Sequence, residues 1–326
     1  MFTALHNVVV NKIAVALPQK MVRYDDELYE NIDAEKKERL KKIIGFENRY
    51  VAKEETALDL CEAAALKLEL SASAVDALIF ITQTPDYFQP GNAAILHGRL
   101  NLKKDCFCQD INAGCNGYIQ GLFQAHLLLQ QEEINAVLLC VGDTISKTIN
   151  SADPTTAPIF GDGGSATLLT KKIGYKSYFS FHTDGTKYDQ IMIRNGAYKN
   201  RTNNPDDNFL FMDGAEVMQM AIAEVPQSIS NLIAKFKLEK EDIDIYFFHQ
   251  ANNFIVETLA KNLKISLHKA PLVFSKFGNQ SSASIPFTMA DTLRKMHAKQ
   301  CLLSGFGVGF AWANAIIDVS DLEIYF

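Results

Sequence analysis

The sequence predicts an α/β fold built from two similar halves, and three observations predict it. Short runs of strand length alternate with segments of helical period, several of the runs are apolar throughout, and the order of elements in the first half returns in the second. A run that is apolar at every position suits a strand covered on both faces. In chain order, VDALIFIT (75–82) reads as a strand that ends in the polar turn TPDYFQPG (84–91). CFCQDIN (106–112) reads as a strand that stops at Ala113-Gly114. GYIQGLFQAHLLLQ (117–130) then places Ile119, Leu122, Phe123 and Leu127 on one helical face. INAVLLCVGDT (134–144) and SATLLT (165–170) read as buried strands. The second half follows with a helix over 215–236, a strand in DIDIYFFHQ (242–250), and a helix in NFIVETLAKNL (253–263) carrying Ile255, Leu259 and Leu263. CLLSGFGVGFAWANAIIDV (301–319) closes the chain as two strands around a glycine-rich turn. The halves, 1–172 and 173–326, are expected to join at 170–174. DAEKKERLKKII (33–44) mixes charges of both signs and reads as a solvated amphipathic helix.

Composition narrows the function. A chain of 326 residues suits two cores, and 48% hydrophobic with 21% charged residues is ordinary for a globular protein. A formal net charge of −6 argues against nucleic acid as the partner. The six cysteines, Cys61, Cys106, Cys108, Cys115, Cys140 and Cys301, show no secreted disulfide spacing, and the C-x-C of Cys106 and Cys108 lacks a second ligand pair for zinc. The first residues lack the charged-then-apolar pattern of a secretion signal, and no apolar stretch is long enough to cross a bilayer. A reduced, cytoplasmic setting is expected. GDGGSA (161–166) does not complete a dinucleotide-binding fingerprint.

Four segments carry side chains suited to chemistry. Cys115 follows a strand and an Ala-Gly turn and stands at the head of a helix, where the dipole and unpaired N–H groups favour a thiolate. A buried structural cysteine is the other reading of the same position. His249-Gln250-Ala251-Asn252 lies where a strand runs into a polar turn; His249 is either held open to a ligand or caps the next helix, with Asn252 as its N-cap. In FGNQSSASIP (277–286), Asn279 is a polar candidate beside a glycine, or a turn residue only. Gly305-Phe306-Gly307-Val308-Gly309 allows a close backbone approach with an exposed amide donor, or simply joins two strands.

Together, DINAGCNGYIQG, IFGDGGSA, FFHQANNF, FGNQSSASIP and GFGVGFAWANAII resemble, in order and spacing, the β-ketoacyl-acyl-carrier-protein synthase III family, from about residue 75 to the end. The resemblance implies a five-layered αβαβα thiolase-like fold, a homodimer and a catalytic set of Cys115, His249 and Asn279. It implies that Cys115 accepts an acyl group, that the N–H groups of Cys115 and Val308 form an oxyanion hole, and that His249 and Asn279 hold the enolate of a decarboxylating malonyl thioester. Asn252, Phe306 and Gly307 are expected to contact substrate, and Phe88 and Gln89 to limit acyl length from across the dimer. Lys261 and Lys264 are candidates for docking an acyl carrier protein, or are plain surface lysines. No metal or organic cofactor is implied.

The chain departs from the family in two places. RLKKIIGFENRY (39–50) lacks the tryptophan expected there, the only one being Trp312, and DPTTAPIFGDG (153–163) lacks an expected arginine. These losses point away from acetyl-coenzyme A and toward a carrier-bound or unusual acyl donor. Two other readings compete with condensation: transfer of the acyl group to an alcohol or amine, and a non-catalytic partner subunit. A hydroxymethylglutaryl synthase-like reaction lacks an identifiable glutamate base.

Overall fold

The computed structural model describes residues 1–23, 38, 45, 47–153, 155–199 and 202–326. The helix expected over 33–44 lies outside the described residues, apart from Glu38. In chain order the elements are β1 (Phe2–Ala16), β2 (Met21–Arg23), β3 (Asn48–Tyr50), α1 (Ala57–Lys67), β4 (Ala77–Ile81), α2 (Asn92–Arg99), β5 (Phe107–Ile111), α3 (Gly117–Leu128), β6 (Ala136–Asp143) and β7 (Gly163–Thr183). There follow β8 (Ile191–Ile193), β9 (Leu210–Met212), α4 (Gly214–Phe236), β10 (Ile245–Phe248), α5 (Asn253–Asn262), α6 (Phe274–Phe277), α7 (Ser284–Leu293), β11 (Gln300–Gly307), β12 (Ala311–Asp318) and β13 (Glu323–Tyr325).

The long strand β7 organises the molecule. Along one edge it pairs antiparallel with β1; along the other it pairs first with β6 and then with β12. From β6 the sheet continues through β4 to β5, and from β12 through β11 to β10. The expected join at 170–174 falls inside β7, where its partner changes from β6 to β12. Gly174 has φ +98° there, and its N–H bonds the side chain of Asn7 at a bulge in β1. SATLLT therefore continues as a strand well beyond its apolar stretch.

Alternation along the strands makes five layers. Leu78 and Phe80 of β4 pack with α1 and α2, while Ile79 and Ile81 face the opposite way onto α3 and α7. From the other side of that central helical layer come Phe247 of β10 and Leu303 of β11. Their neighbours Tyr246, Phe248 and Leu302 turn outward to α4 and α5. Helices α3 and α7 are thus enclosed between two sheet halves, which is why α7 is buried along most of its length. The expected face of α3 holds for Ile119 and Leu122, but Leu127 is 38% exposed. Tyr118, Ala125 and His126 are buried instead, because a helix enclosed on two sides is not limited to a single stripe. Among the described residues no helix is long and apolar enough to cross a membrane.

Candidate active site

Cys115 sits on the turn between β5 and α3, two residues before the first residue of the helix, and is 8% exposed. Strand β11 passes against it. A Cβ on Gly307 would lie 2.8 Å from the Cys115 sulfur, and Gly307 has φ +153°, so no side chain fits there without displacing the thiol. Gly307→Ala is expected to leave the fold intact and slow chemistry at Cys115 by about 10²-fold, the usual cost of an ångström-scale misplacement. Single-turnover rates alongside thermal melts would check this.

His249 follows the last residue of β10. Its backbone N–H bonds Ser304 O of β11 at 2.8 Å, which carries the strand pairing one residue further. Its ring is 1% exposed, lies edge-on to Phe306 at 5.5 Å, and has Nδ1 2.7 Å from Ser284 Oγ. Gln250 anchors the turn: its Nε2 donates to Phe248 O and its Oε1 accepts from Val273 N–H. Asn252 caps α5 by accepting from Ile255 N–H at 2.9 Å while still lining the cavity, so capping and a place in the wall coexist at one residue.

Asn279 is 5% exposed and is held by main-chain zipping of two motifs, its N–H donating to Ile159 O and its carbonyl accepting from Gly161 N–H. Gly278 makes this approach with φ +73°, and a Cβ there would sit 3.0 Å from Ile159 O. The side-chain Oδ1 accepts from Ser281 N–H at 2.9 Å, which leaves the donor end of the amide for the cavity. Ser281 itself has φ +49°, a left-handed conformation that costs a non-glycine residue on the order of 1 kcal/mol or more.

Cys115, His249, Asn279, Asn252, Phe306, Gly307 and Val308 all line one cavity of about 180 Å³. That exceeds the roughly 150 Å³ of an apolar cavity able to take benzene. Ile145, Ile159, Phe160, Leu210 and Val217 supply much of its apolar wall. The other candidates lie outside this cavity: Phe88 is 70% exposed, with its ring 6.1 Å from that of Tyr198, and Gln89, Lys261 and Lys264 are also on the surface.

The electrostatics correct one expectation. Burial pushes the Cys115 thiol up to about 11, helped by the charge of Asp143; the Val308 N–H, the Ser281 hydroxyl and the Cys115 N–H act in the opposite direction. Desolvation of the anion outweighs the helix N-terminus, so the resting site holds a thiol. Burial also draws His249 down to about 3, partly offset by a hydrogen bond to the Ser281 backbone, so the imidazole is neutral.

The sequence reading did not single out Ser281, Ser284, Gln83 or Asp143. Asp143 is fully buried at the end of β6, and its pKa is raised chiefly by burial. Its carboxylate accepts from Gln83 N–H at 2.7 Å, Thr82 Oγ1 at 3.1 Å, Ser282 Oγ at 2.6 Å and Ser282 N–H at 3.3 Å. An acid closing the otherwise apolar run VLLCVG was the signal available for it.

Two sheet halves around enclosed helices, with a cysteine, a histidine and an asparagine meeting in one apolar cavity, define the thiolase-fold class. Comparison with known proteins narrows this. The family described as 3-oxoacyl-[acyl-carrier-protein] synthase III matches residues 109–185, and the description of its C-terminal part matches residues 233–319. A putative 3-oxoacyl-[acyl-carrier-protein] synthase 3 of Campylobacter jejuni is 35% identical over 96% of this chain and 94% of its own length. The beta-ketoacyl-[acyl-carrier-protein] synthase III of Streptococcus agalactiae is 34% identical over 84% and 88%. The crystal structure of a 3-oxoacyl-(acyl-carrier protein) synthase from Burkholderia xenovorans LB400 superposes with a TM-score of 0.94 at 33% identity, covering 99% of this chain and 97% of that one. The chain belongs to the 3-oxoacyl-[acyl-carrier-protein] synthase III family.

Proposed function

We propose that this enzyme carries out a decarboxylative condensation between an acyl group carried on Cys115 and a malonyl thioester. The observation that carries the reading is the meeting of Cys115, His249 and Asn279, from three distant segments, in one largely apolar cavity. The sulfur attacks the donor thioester carbonyl, a new C–S bond forms, and the donor thiol leaves with the proton given up by Cys115. The N–H groups of Val308 and Cys115 take the oxyanion that forms on the attacked carbonyl. The malonyl thioester then loses carbon dioxide, and its developing enolate oxygen accepts from neutral His249 and the Asn279 amide. The resulting carbanion attacks the acyl carbonyl, the bond from that carbon to sulfur breaks, and the Cys115 thiolate that leaves takes a proton from solvent. These steps are redox-neutral and call for no metal or organic cofactor.

In this reading the halves 1–172 and 173–326 divide the task, the first carrying the nucleophile and the second the enolate clamp. The missing tryptophan and arginine favour a donor delivered by acyl carrier protein, with Lys261 and Lys264 on the docking face. Asn252, Phe306 and Gly307 flank the bound thioester, and Phe88 and Gln89 act on the partner subunit of a cytoplasmic homodimer. The test is intact-protein mass spectrometry with a panel of acyl thioesters, followed by carbon dioxide release from malonyl-carrier protein. Acyl mass on Cys115 together with carbon dioxide release is expected. Acyl mass with transfer to an alcohol or amine and no carbon dioxide would replace condensation with simple transfer.

A further inference from the structure

We propose that Asp143 is a positioning residue that holds the Asn279 amide ready for the enolate, acting through the Ser281–Ser282 turn; this rests on the condensation reading. Asp143 is fully buried and is not among the residues that line the cavity. A buried carboxyl is costly unless its oxygens are met by donors, so its place here calls for a reason. Its four hydrogen bonds come from uncharged groups on two separate turns. Oδ1 accepts from Gln83 N–H at 2.7 Å and Thr82 Oγ1 at 3.1 Å, just past β4. Oδ2 accepts from Ser282 Oγ at 2.6 Å and Ser282 N–H at 3.3 Å.

The second turn is the one that orients the asparagine. Gln280 has φ −93° and ψ 27°, and Ser281 follows with φ +49°. A residue near the right-handed region followed by a left-handed one turns successive N–H groups to one side, a nest for oxygen acceptors. Asn279 Oδ1 takes the N–H of Ser281 at 2.9 Å, and Asp143 takes the next one, that of Ser282. The main chain of Asn279 is fixed separately, by Ile159 and Gly161. What the nest controls is therefore the side-chain torsion, which decides whether the donor end of the amide meets the cavity. The Ser281 hydroxyl, which donates to Gln83 Oε1 at 3.0 Å and has Asp143 as a further partner, ties the same two turns together. Asparagine cannot stand in at position 143. Each carboxylate oxygen receives a backbone N–H, which can only donate, and an amide would set its own N–H group against one of them. Without that acceptor Ser281 can leave the left-handed region, and its N–H swings away from Asn279.

The experiment uses the full-length protein and reads carbon dioxide release from malonyl-carrier protein, together with a crystal structure of Asp143→Asn. Release by Asp143→Asn is expected to fall about tenfold or more, as for a displaced catalytic group. In the structure, the bond from Ser281 N–H to Asn279 Oδ1 is expected to be lost. In an Asn279→Ala background, Asp143→Asn is expected to cost nothing further, whereas in a His249→Ala background the two losses multiply. A purely structural role would multiply with both. Ser282→Ala, which keeps the backbone N–H, is expected to lower release about threefold, and it decides the matter if Asp143→Asn does not fold. A retained Ser281–Asn279 bond overturns the proposal, as does a loss that multiplies with Asn279→Ala, or Ser282→Ala at the wild-type rate. If the wild type itself releases no carbon dioxide, the condensation reading falls, and the crystal structure still decides whether Asp143 holds the asparagine.

Discussion

Cys115→Ala is expected to leave no acyl mass on the protein and to lower condensation by on the order of 10⁴-fold or more, the scale of losing a covalent nucleophile. No other cysteine lines the cavity, so none can take over the acyl group there. Cys61, Cys140 and Cys301 are buried elsewhere, and Cys106 and Cys108 flank Phe107 at the start of β5. The substitution removes one sulfur atom from a site bordered by glycine backbone, so the melting temperature should change little. The proposed clamp of His249 and Asn279 does not involve the sulfur. Cys115→Ala should therefore still release carbon dioxide from the malonyl thioester while forming no carbon–carbon bond. Retention of acyl mass in this variant would move the nucleophile to another residue.

The legible parts of the sequence were those in which one physical demand acts on successive residues. VDALIFIT and INAVLLCVGDT are apolar at nearly every position because β4 and β6 are covered on both faces, and a run of that kind announces itself. Strand β7 announced only its first third. Residues 171–176, KKIGYK, are polar or exposed, and Ile173 is 90% exposed. The strand persists there through backbone pairing with β1, which leaves no side-chain pattern. Leu127 was misread because α3 is packed on two sides, so the solvent face is narrower and differently placed than a single amphipathic stripe suggests. In the site, the residues marked Cys115, His249 and Asn279 only as separate candidates, the family resemblance implied that they act together, and all three line the cavity. The apolar wall gave no such signal, because Ile145, Ile159, Leu210 and Val217 come from separated segments with no shared period. The state of the thiol was misjudged for a related reason. A helix N-terminus can be read from sequence, whereas the depth of burial that overrides it is a property of the assembled layers.

His249→Ala and Asn279→Ala are each expected to reduce carbon dioxide release and condensation by roughly 10²–10³-fold, or about 2.7–4 kcal/mol of barrier, while Cys115 still takes up acyl mass. In the proposed clamp each would supply one donor to the same developing enolate oxygen, within a largely apolar cavity wall. The pH dependence separates this neutral clamp from acid catalysis by an imidazolium. Burial disfavours the charged ring and holds its pKa near 3, so acidification from pH 8 to pH 5 keeps His249 neutral. Carbon dioxide release by the wild type should then show no inflection near the ordinary histidine value of about 6.5. The opposite outcome is equally distinct. An inflection near that value that disappears in His249→Ala would mean the ring takes up a proton during turnover. The two donors would then have to be assigned different roles, with Asn279 alone meeting the enolate.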